Sequence, residues 1–451
     1  MASSYADAAA CLAKVEKGSR SLKSAAYESR DPKKTYALCA EALKVRASLR
    51  AAIAATDLRD ALGKHDGRVL LLACYDALAG RGLPKRAGGK LLRGVKERLP
   101  ALRAAFEAHV ATQAPAAPKP PARAVRYARV NPLRGATKES VRAALGDVGD
   151  ELTDDAHLDE VLAFPGALAS TLHGGHALVA SGQIILQDKA SCFPAKALLG
   201  DLPPEWRGDV LDACAAPGNK TTHAAALLGR RGAVHAFDRD ARRLEILVNR
   251  AAEAGAAVRA SNADFLAATV ETFPAASKIR AVLLDPSCSG SGMDGVERNV
   301  MRDDADAARV AKLAAFQTEA LAHALDAFPN AERVAYSTCS VHDAENEAVV
   351  AAALAARPGW RLRAALPAWP RRGRAAAGLG ADDAAKLVRT DPAADDTIGF
   401  FLALFERGAP KRARDAGDGD APSARNARRK AKRRKKKQAA FAAGRPGGGA
   451  S

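Results

Sequence analysis

Residues 1–112 carry apolar residues three and four positions apart, as in LCAEALKVRASLRAAIAA (38–55) and RVLLLACYDALAG (68–80). That spacing lines one face of an α-helix with apolar side chains, so this part of the chain predicts an N-terminal helical domain. The next segment, QAPAAPKPPARA (113–124), is rich in proline and favours an extended linker.

Between residues 125 and 180 the pattern is mixed. VRYARVNPLRG (125–135) alternates in the manner of a short strand, whereas KESVRAALGDV (138–148) and HLDEVLAFPG (157–166) have helix-like spacing. We therefore predict a small α+β subdomain here.

From residue 181 to 407, short apolar runs alternate with helical stretches. Strands separated by helices of this length form right-handed crossovers and a mostly parallel sheet with helices on both faces. The predicted fold class is therefore α/β, with a doubly wound, Rossmann-like sheet. The predicted strands are GQIILQ (182–187), GDVLDAC (208–214), GAVHAFD (232–238), VRASNADF (258–265), IRAVLLD (279–285), RVAYSTC (333–339) and TIGFFLALFER (397–407).

The net charge of +18 is unevenly distributed along the chain. Residues 1–124 hold 23 Lys and Arg against 11 Asp and Glu, and residues 408–451 hold 14 against 3, whereas residues 125–407 hold 32 against 37. Basic flanks around a mildly acidic middle suit a polyanion such as nucleic acid, which the flanks would hold while the middle does the chemistry. The last segment also has almost no apolar residues, so we predict a disordered basic tail over 408–451.

The cysteines argue against a disulfide framework or a zinc site. They are odd in number and widely spaced, without a Cys-x-x-Cys pair or clustered histidines. No apolar run approaches the roughly 18 residues of a membrane span, and no signal-peptide pattern opens the chain. We expect a soluble monomer of a reducing compartment, without metal or membrane partner. The seven cysteines are Cys11, Cys39, Cys74, Cys192, Cys214, Cys288 and Cys339.

A candidate cofactor turn lies in GDVLDACAAPGNKTTHAAALLG (208–229), which predicts a strand, a tight turn of small residues and a helix. Small residues let the backbone approach a ligand, and the helix N-terminus offers free N–H groups beside it. The turn comprises Cys214, Ala215, Ala216, Pro217, Gly218, Asn219 and Lys220.

Three acids, Asp238, Asp264 and Asp285, follow successive predicted strands. A single acid after a strand is usually solvated or caps a helix, but three at one crevice favour a nucleoside cofactor, because ligands bind at the carboxyl ends of parallel strands. Asp238 could accept hydrogen bonds from ribose hydroxyls, with Arg243 on the next helix, and Asp264 could meet an adenine amino group. A proline-containing turn with one glycine is poor for cradling pyrophosphate, so we expect S-adenosylmethionine and not NAD or ATP.

Cys288 and Cys339 are predicted at the same crevice, because the strands IRAVLLD and RVAYSTC that precede them should lie side by side with the strand GDVLDAC. A single cysteine is most often a buried, inert residue. A pair facing a methyl donor instead fits methylation of cytosine carbon-5, in which a thiolate adds to carbon-6 and makes carbon-5 nucleophilic. Asp285 near N3 and the exocyclic amine would hold the ring. The Ser-Gly-Ser-Gly run after Cys288 would leave room for the RNA backbone or the flipped base.

Three motifs carry a resemblance to a known family: LDACAAPGNKT (211–221), LLDPSCSGSGM (283–293) and YSTCSVHDAENE (336–347). In that order and spacing they resemble the Sun/Nop/Fmu family of RNA (cytosine-5)-methyltransferases, and GQIILQDKASCFPAKAL (182–198) is similar to the segment before the family's cofactor turn. The similarity extends over about residues 126–407. It implies a class I methyltransferase sheet with S-adenosylmethionine as cofactor, and an RNA-binding role for the small α+β subdomain.

The resemblance also implies roles for individual residues. The cysteine of the family's Thr-Cys motif is the nucleophile, which corresponds to Cys339, and Cys288 corresponds to the cysteine that assists release of the methylated RNA. The cofactor residues carried over are the turn from Cys214 to Lys220 together with Asp238, Arg243, Asp264 and Asp285.

Two departures from the commonest family pattern, Pro286-Ser287-Cys288 and Gly218-Asn219-Lys220, resemble the eukaryotic branch that methylates large-subunit rRNA. A nucleolar protein that acts on large-subunit rRNA or pre-ribosomal particles is therefore expected, and ARRKAKRRKKK (427–437) suits a nuclear or nucleolar signal. The alternatives are a cytosine-5 methyltransferase of tRNA or another RNA, and a non-catalytic assembly factor that binds rRNA. The N-terminal helical domain could contact RNA or a ribosomal protein.

Overall fold

The N-terminal region is helical, as the spacing of its apolar residues predicts. Two of its helices begin at aspartates whose side chains accept backbone N–H groups, Asp31 from Lys34 at 3.0 Å and Asp66 from Arg68 at 2.8 Å, which satisfies donors that a helix leaves free at its start. Leu49, Leu58 and Leu72 are among the buried residues that form the hydrophobic core of this region. The helices α1 to α8 are Ala2–Glu16, Leu22–Tyr27, Pro32–Lys44, Arg46–Ala54, Leu58–Leu62, Gly67–Leu78, Lys90–Glu97 and Leu99–Thr112.

This computed structural model describes residues 2–16, 22–63, 65–83, 89–112, 124–172, 175–293 and 305–408. The predicted linker, apart from Ala124, and the predicted basic tail, apart from Gly408, lie outside the described residues. Among the helices within these ranges, none is long and apolar enough to cross a lipid bilayer.

A small antiparallel sheet follows, and its strands lie in the order β2-β3-β1-β4. The helix-like interpretation of residues 157–166 is wrong, because Val161–Pro165 is a strand paired antiparallel with β1. Val161, Leu162 and Phe164 are buried there, and β-branched and aromatic side chains pack well on a sheet. The elements are β1 Val125–Val130, α9 Lys138–Leu145, β2 Thr153–Asp154, β3 Val161–Pro165, α10 Ala169–Leu172, α11 Ala177–Ala180 and β4 Ile184–Leu186.

Strand β4 was expected to open the large sheet, but it pairs antiparallel with β1 in the small one. The large sheet therefore begins at β5. The remaining elements are α12 Lys189–Leu199, β5 Asp209–Asp212, α13 Asn219–Leu228, β6 Val234–Phe237, α14 Ala241–Ala254, β7 Val258–Ser261, β8 Ile279–Leu284, α15 Ala305–Asp326, β9 Arg333–Thr338, α16 Glu347–Ala356, β10 Trp360–Arg363, α17 Ala381–Ala384, β11 Val388–Thr390 and β12 Phe400–Arg407.

The strands of the large sheet lie in the order β10-β12-β9-β8-β5-β6-β7, and β11 pairs with β12. Strands β5 to β9 are parallel, whereas β12 runs antiparallel to β9, β10 and β11. The Rossmann-like fold class is confirmed, and so is the expectation that β5, β8 and β9 are neighbours.

Both faces of this sheet are covered. Along β8, Ala281 and Leu283 lie in the core on one face, and Val282 and Leu284 lie in the core on the other. Successive side chains of a strand point to opposite faces, so a continuous apolar run is what a strand buried on both sides requires.

The N-terminal helical region contacts the large sheet's layer of helices near α14. The guanidinium of Arg242, in the first turn of α14, donates to the carbonyl oxygen of Glu28 at 2.8 Å. The helical region thus lies beside the carboxyl end of β6.

The last residue of β5, Asp212, is a buried carboxyl with 1% exposure. Burial raises its pKa to about 7, and the nearby Asp285 carboxylate adds to this shift. A hydrogen bond from Thr221 Oγ1 at 2.7 Å opposes the shift but does not cancel it. The folded protein therefore holds a proton on Asp212 at pH values where an unfolded chain has lost it.

The raised pKa of Asp212 gives a stability prediction. Between about pH 4 and pH 7 the native state binds this proton and the unfolded state does not, so the free energy of unfolding falls as pH rises. Asp212→Asn keeps an acceptor for Thr221 and removes the titration. We expect the variant to gain stability relative to the unmodified protein by up to about 4 kcal/mol from pH 4 to pH 8, measured by urea unfolding. An equal difference at both pH values would contradict the assignment.

Candidate active site

The site lies at the carboxyl ends of β5, β8 and β9, where parallel strands leave a crevice for ligands. Asp285 directly follows β8, and Cys339 directly follows β9. In the register of these strands Leu284 lies beside Tyr336, so Asp285 leaves β8 beside Ser337 of β9, two residues before Cys339.

The structure brings together the two predicted thiols. The Sγ atoms of Cys288 and Cys339 are 3.2 Å apart, although 51 residues separate them in sequence. Both side chains are partly buried. The hydrogen bond with Cys339 and burial raise the pKa of Cys288 well above its usual value. Cys288 therefore keeps its proton and lies in contact with the Cys339 sulfur.

Asp285 holds two neighbours at the edge of the crevice. It accepts a hydrogen bond from Ser337 Oγ at 2.6 Å, and its other oxygen lies 2.8 Å from Lys220 Nζ. These contacts leave Asp285 about a quarter exposed, with 26% of its side chain accessible. A carboxylate fixed in this way presents its remaining lone pairs to a ligand in the crevice.

Lys220 supplies a positive charge at the same place. Burial lowers its pKa, but the Asp285 carboxylate and its hydrogen bond, with a smaller contribution from Cys339, outweigh burial and raise the pKa overall. The ammonium also lies 5.5 Å from the centroid of the Phe400 ring. Lys220 therefore places a positive charge between the carboxylate of Asp285 and the thiol-bearing loops.

The cofactor turn is fixed from its far side by Asp238 and Arg243. The backbone N–H of Ala216 donates to Asp238 Oδ2 at 3.2 Å. Arg243 donates to the carbonyl oxygen of Ala216 and lies 3.5 Å from Asp238. The guanidinium of Arg243 therefore binds the turn itself, so the contacts of this side chain stabilise the turn.

The end of the turn opens the helix α13. Gly218 is the N-cap, with φ 105°, a conformation that favours glycine, and no side chain caps the helix. Asn219 accepts from Arg250 at 3.1 Å. Cys214 lies partly exposed in the turn, and burial raises its pKa strongly, so it stays a thiol.

Asp264 lies three residues beyond β7 and is exposed. Its side chain accepts the backbone N–H of Leu266 at 3.0 Å and so caps a short 3₁₀ turn, Phe265–Ala267. The acid therefore has a structural role as a cap, and its free lone pairs face solvent near the end of the strand next to β6.

The chemistry of these groups fits S-adenosylmethionine. Asp238 is 6% exposed; its Oδ1 accepts the backbone N–H of Asp240 and keeps a lone pair for a ribose hydroxyl, whereas its Oδ2 accepts the N–H of Ala216 and faces Arg243. Ala215 and Ala216 carry no bulk beyond Cβ, so a ligand can approach the turn closely. The turn carries one lysine, and that lysine is paired with Asp285, which suits a cofactor without phosphates.

The Ser-Gly-Ser-Gly run does not provide the expected room for the RNA backbone or the flipped base. Ser289 is 3% exposed, and its hydroxyl lies within hydrogen-bonding distance of Ser291 Oγ at 3.0 Å and of Ser340 Oγ at 3.1 Å. A Cβ on Gly292 would lie 2.0 Å from the carbonyl oxygen of Gly399, so this glycine is needed for close backbone contact. The run is part of the wall of the site.

Sequence reasoning gave no role to Glu345 or Gln317, which lie directly behind the thiols. Glu345 is fully buried and accepts the backbone N–H of Ser289 at 2.9 Å and the hydroxyl of Ser340 at 2.6 Å. Gln317 donates to Glu345 at 2.9 Å. Neither residue stands out in the sequence, because Glu345 lies among other polar residues in VHDAENE (341–347) and Gln317 is followed by Thr318 and Glu319.

Arg129 of β1 connects the small sheet to α13, the helix that the cofactor turn opens. This side chain is fully buried, and burial lowers its pKa to about 10. It donates to Gln187 at 3.0 Å and to Thr222 at 3.1 Å, in the first turn of α13. The two sheets therefore meet next to the cofactor turn.

The chain is similar to known rRNA methyltransferases. Residues 200–406 match the family model of the 16S rRNA methyltransferase RsmB/F. The chain is 36% identical over 435 residues to the 28S rRNA (cytosine-C(5))-methyltransferase of Mus musculus, covering 89% of this chain and 90% of that protein. It is 34% identical over 426 residues to a 25S rRNA (cytosine-C(5))-methyltransferase of Schizosaccharomyces pombe, covering 88% and 90%.

Solved structures share the fold. The crystal structure of PH0851 matches with a TM-score of 0.57 at 20% identity, covering 90% of this chain and 99% of that one. The crystal structure of NSun6 from Pyrococcus horikoshii with SFG matches with a TM-score of 0.51 at 18% identity, covering 64% and 91%. The sequence relatives go further than the fold, because the identity extends over nearly their whole length: this chain belongs to the Sun/Nop/Fmu family of RNA (cytosine-5)-methyltransferases.

Proposed function

We propose that this S-adenosylmethionine-dependent enzyme methylates carbon-5 of a cytosine in large-subunit rRNA. The observation that carries the chemistry is the pair of thiols 3.2 Å apart, beside a carboxylate and a lysine. The relatives named above act on 28S and 25S rRNA and match this chain over about nine tenths of their length, which supports the same class of RNA as substrate.

The reaction begins at Cys339. Its sulfur adds as the thiolate to carbon-6 of the cytosine and forms a covalent adduct. The electrons of the carbon-5–carbon-6 double bond move towards N3, and carbon-5 becomes nucleophilic. Cys288 keeps its proton, because its pKa is raised, and does not compete as the nucleophile.

Asp285 orients the base. Its carboxylate can accept a hydrogen bond from the exocyclic amine of cytosine, while Ser337 and Lys220 keep it in place. The charge of Lys220 also offsets negative charge that develops on the ring. S-adenosylmethionine, held by the turn from Cys214 to Lys220 with Asp238 and Asp264, supplies the electrophilic methyl group that carbon-5 accepts.

Cys288 acts at the end of the reaction. A water molecule takes the carbon-5 proton, the electrons of that C–H bond restore the carbon-5–carbon-6 double bond, and the bond between Cys339 sulfur and carbon-6 breaks with its electron pair on sulfur. The thiol of Cys288, in contact with that sulfur, donates a hydrogen bond to the departing thiolate and so assists release of the methylated RNA.

The relatives and the charge distribution support the proposed substrate and location. We infer that pre-ribosomal particles carry the target, that the protein acts as a monomer in the nucleus and nucleolus, and that the basic segments add salt-dependent attraction to phosphates. The proposed division of labour is a helical region over residues 1–112, a linker over 113–124, an RNA-binding small sheet, the methyltransferase sheet up to residue 407 and a basic tail.

Mapping 5-methylcytosine in rRNA from cells with and without this protein tests the substrate. We expect a large-subunit site to disappear without the protein. Loss of a tRNA site instead would support the alternative RNA substrate, and unchanged methylation with defective ribosome assembly would support a non-catalytic role.

Replacing the nucleophile should abolish methylation. Cys339→Ala removes the sulfur that adds to carbon-6, so we expect methyl transfer from labelled cofactor to pre-rRNA to fall by at least about 10³-fold, without a covalent adduct. Cys192→Ala is the matched control, because that thiol is fully buried in the core. Full methylation by Cys339→Ala would make the assignment wrong.

Replacing the second thiol should stop the reaction at a later stage. With Cys288→Ala the adduct forms but its release slows, so we expect a covalent protein–RNA complex that migrates slowly in denaturing gels. Combining Cys288→Ala with Cys339→Ala should remove that complex. If Cys288→Ala turns over normally, it has no role in release.

The proposed cofactor contact can be tested by binding alone. Asp238→Asn removes the charge that accepts ribose hydroxyls, and we expect the Kd for S-adenosylmethionine to rise about tenfold in calorimetry. Asp264→Asn, at an exposed position, should raise it by less. Equal, unchanged affinities would argue against ribose recognition by Asp238.

A further inference from the structure

The carboxylate of Glu345 connects the two loops that carry the thiols. Its Oε1 accepts the backbone N–H of Ser289 at 2.9 Å, next to Cys288. Its Oε2 accepts the hydroxyl of Ser340 at 2.6 Å, next to Cys339. One side chain therefore touches the residue after each cysteine.

Gln317 of α15 completes the connection. Its Nε2 donates to the same Oε1 of Glu345 at 2.9 Å and to the carbonyl oxygen of Ser287 at 3.0 Å, so the residues on both sides of Cys288 are held. Tyr336 donates to the carbonyl oxygen of Glu345 at 2.5 Å and fixes the backbone from which the carboxylate extends.

The charge of Glu345 has no cationic partner among the ion pairs of the described residues. Glu347, two residues later and also fully buried, instead accepts a hydrogen bond from Arg389 Nε at 2.7 Å. A buried carboxylate satisfied by neutral donors alone is costly to desolvate. Glu345 takes two donors on Oε1 and a third on Oε2, and a carboxylate provides acceptors at both positions whereas an amide has only one acceptor oxygen.

We propose that Glu345 is a positioning residue that keeps Cys288 in contact with Cys339 and thereby sets the rate of product release. It touches neither thiol, and it acts through the loop backbone at Ser289 and the side chain of Ser340. This role rests on the proposed function only for its effect on release, since the contact between the sulfurs is a property of the free protein.

The first experiment measures that contact without RNA. Diamide oxidises two adjacent thiols to a disulfide, taking their two hydrogens and two electrons to become a hydrazine. In the unmodified protein the sulfurs need to close only from 3.2 Å to about 2.0 Å, so the Cys288–Cys339 disulfide should form readily, as followed by peptide mass mapping.

Glu345→Gln tests the positioning role. The amide keeps one acceptor oxygen and replaces the other by an NH₂ donor. In one orientation this donor faces the N–H groups of Ser289 and Gln317, and in the other it faces the hydroxyl of Ser340. Either way a hydrogen bond between the loops is lost and the loops separate. We expect disulfide formation to slow by at least about tenfold, and the covalent RNA adduct to accumulate because release slows more than addition.

Asp209→Asn is the matched control. Asp209 is a partly buried carboxylate at the opposite end of β5 and also accepts a backbone N–H, from Ala233 at 2.9 Å, together with a contact to His235 at 3.0 Å. It should lower stability without changing the disulfide rate or the adduct. If Glu345→Gln does not fold, Gln317→Met removes the contacts to Ser287 and Glu345 with an uncharged side chain of similar length, and should slow the disulfide less strongly.

The outcomes separate the two proposals. A Glu345→Gln protein with an unchanged disulfide rate overturns the positioning role, even if methylation falls. A slowed disulfide in Glu345→Gln supports the role whether or not rRNA proves to be the substrate. Failure of the unmodified protein to methylate rRNA counts against the proposed function alone.

Discussion

The parallel register of β8 and β9, which places Leu284 beside Tyr336, determines where both thiol-bearing loops leave the sheet. From that register Asp285 comes within hydrogen-bonding distance of Ser337, and the loops that follow bring Cys288 and Cys339 into contact. A shift of one residue would reverse the side chains of either strand between the two cores and separate the acid from its serine. Burial of both faces of β8 thus protects the geometry of the site.

The charges of the site are arranged around one lysine. Lys220 comes from the turn between β5 and α13, yet its ammonium pairs with Asp285, the proposed base-holding carboxylate, and lies near Cys339, the proposed nucleophile. In the proposed mechanism one cation therefore serves the methyl donor, the base and the attacking sulfur, which avoids bringing several like charges into a partly buried crevice. Cys288, held protonated, adds no charge of its own.

The sequence was sufficient to predict the features that follow from the alternation of strands and helices along the chain. The order of the strands at the centre of the large sheet, the turn from Cys214 to Lys220 and the meeting of Cys288 with Cys339 all follow from alternating strands and helices. HLDEVLAFPG was mistaken for a helix because its short apolar spacing fits both periods, and pairing with β1 decides for the strand. Glu345 escaped notice because its role depends on three segments, around residues 289, 317 and 340, that meet only in the folded chain.

The buried guanidinium of Arg129 has a consequence for how RNA enters. Because it connects β1 to the first turn of α13, any swing of the small sheet would pull a charged group out of its hydrogen bonds and disturb the cofactor turn. We therefore expect the two sheets to keep their relative orientation when RNA binds, so that the cleft between them is preformed. The deformation needed to bring a cytosine to the thiols then falls on the RNA, so unpaired or weakly stacked cytosines are the accessible ones.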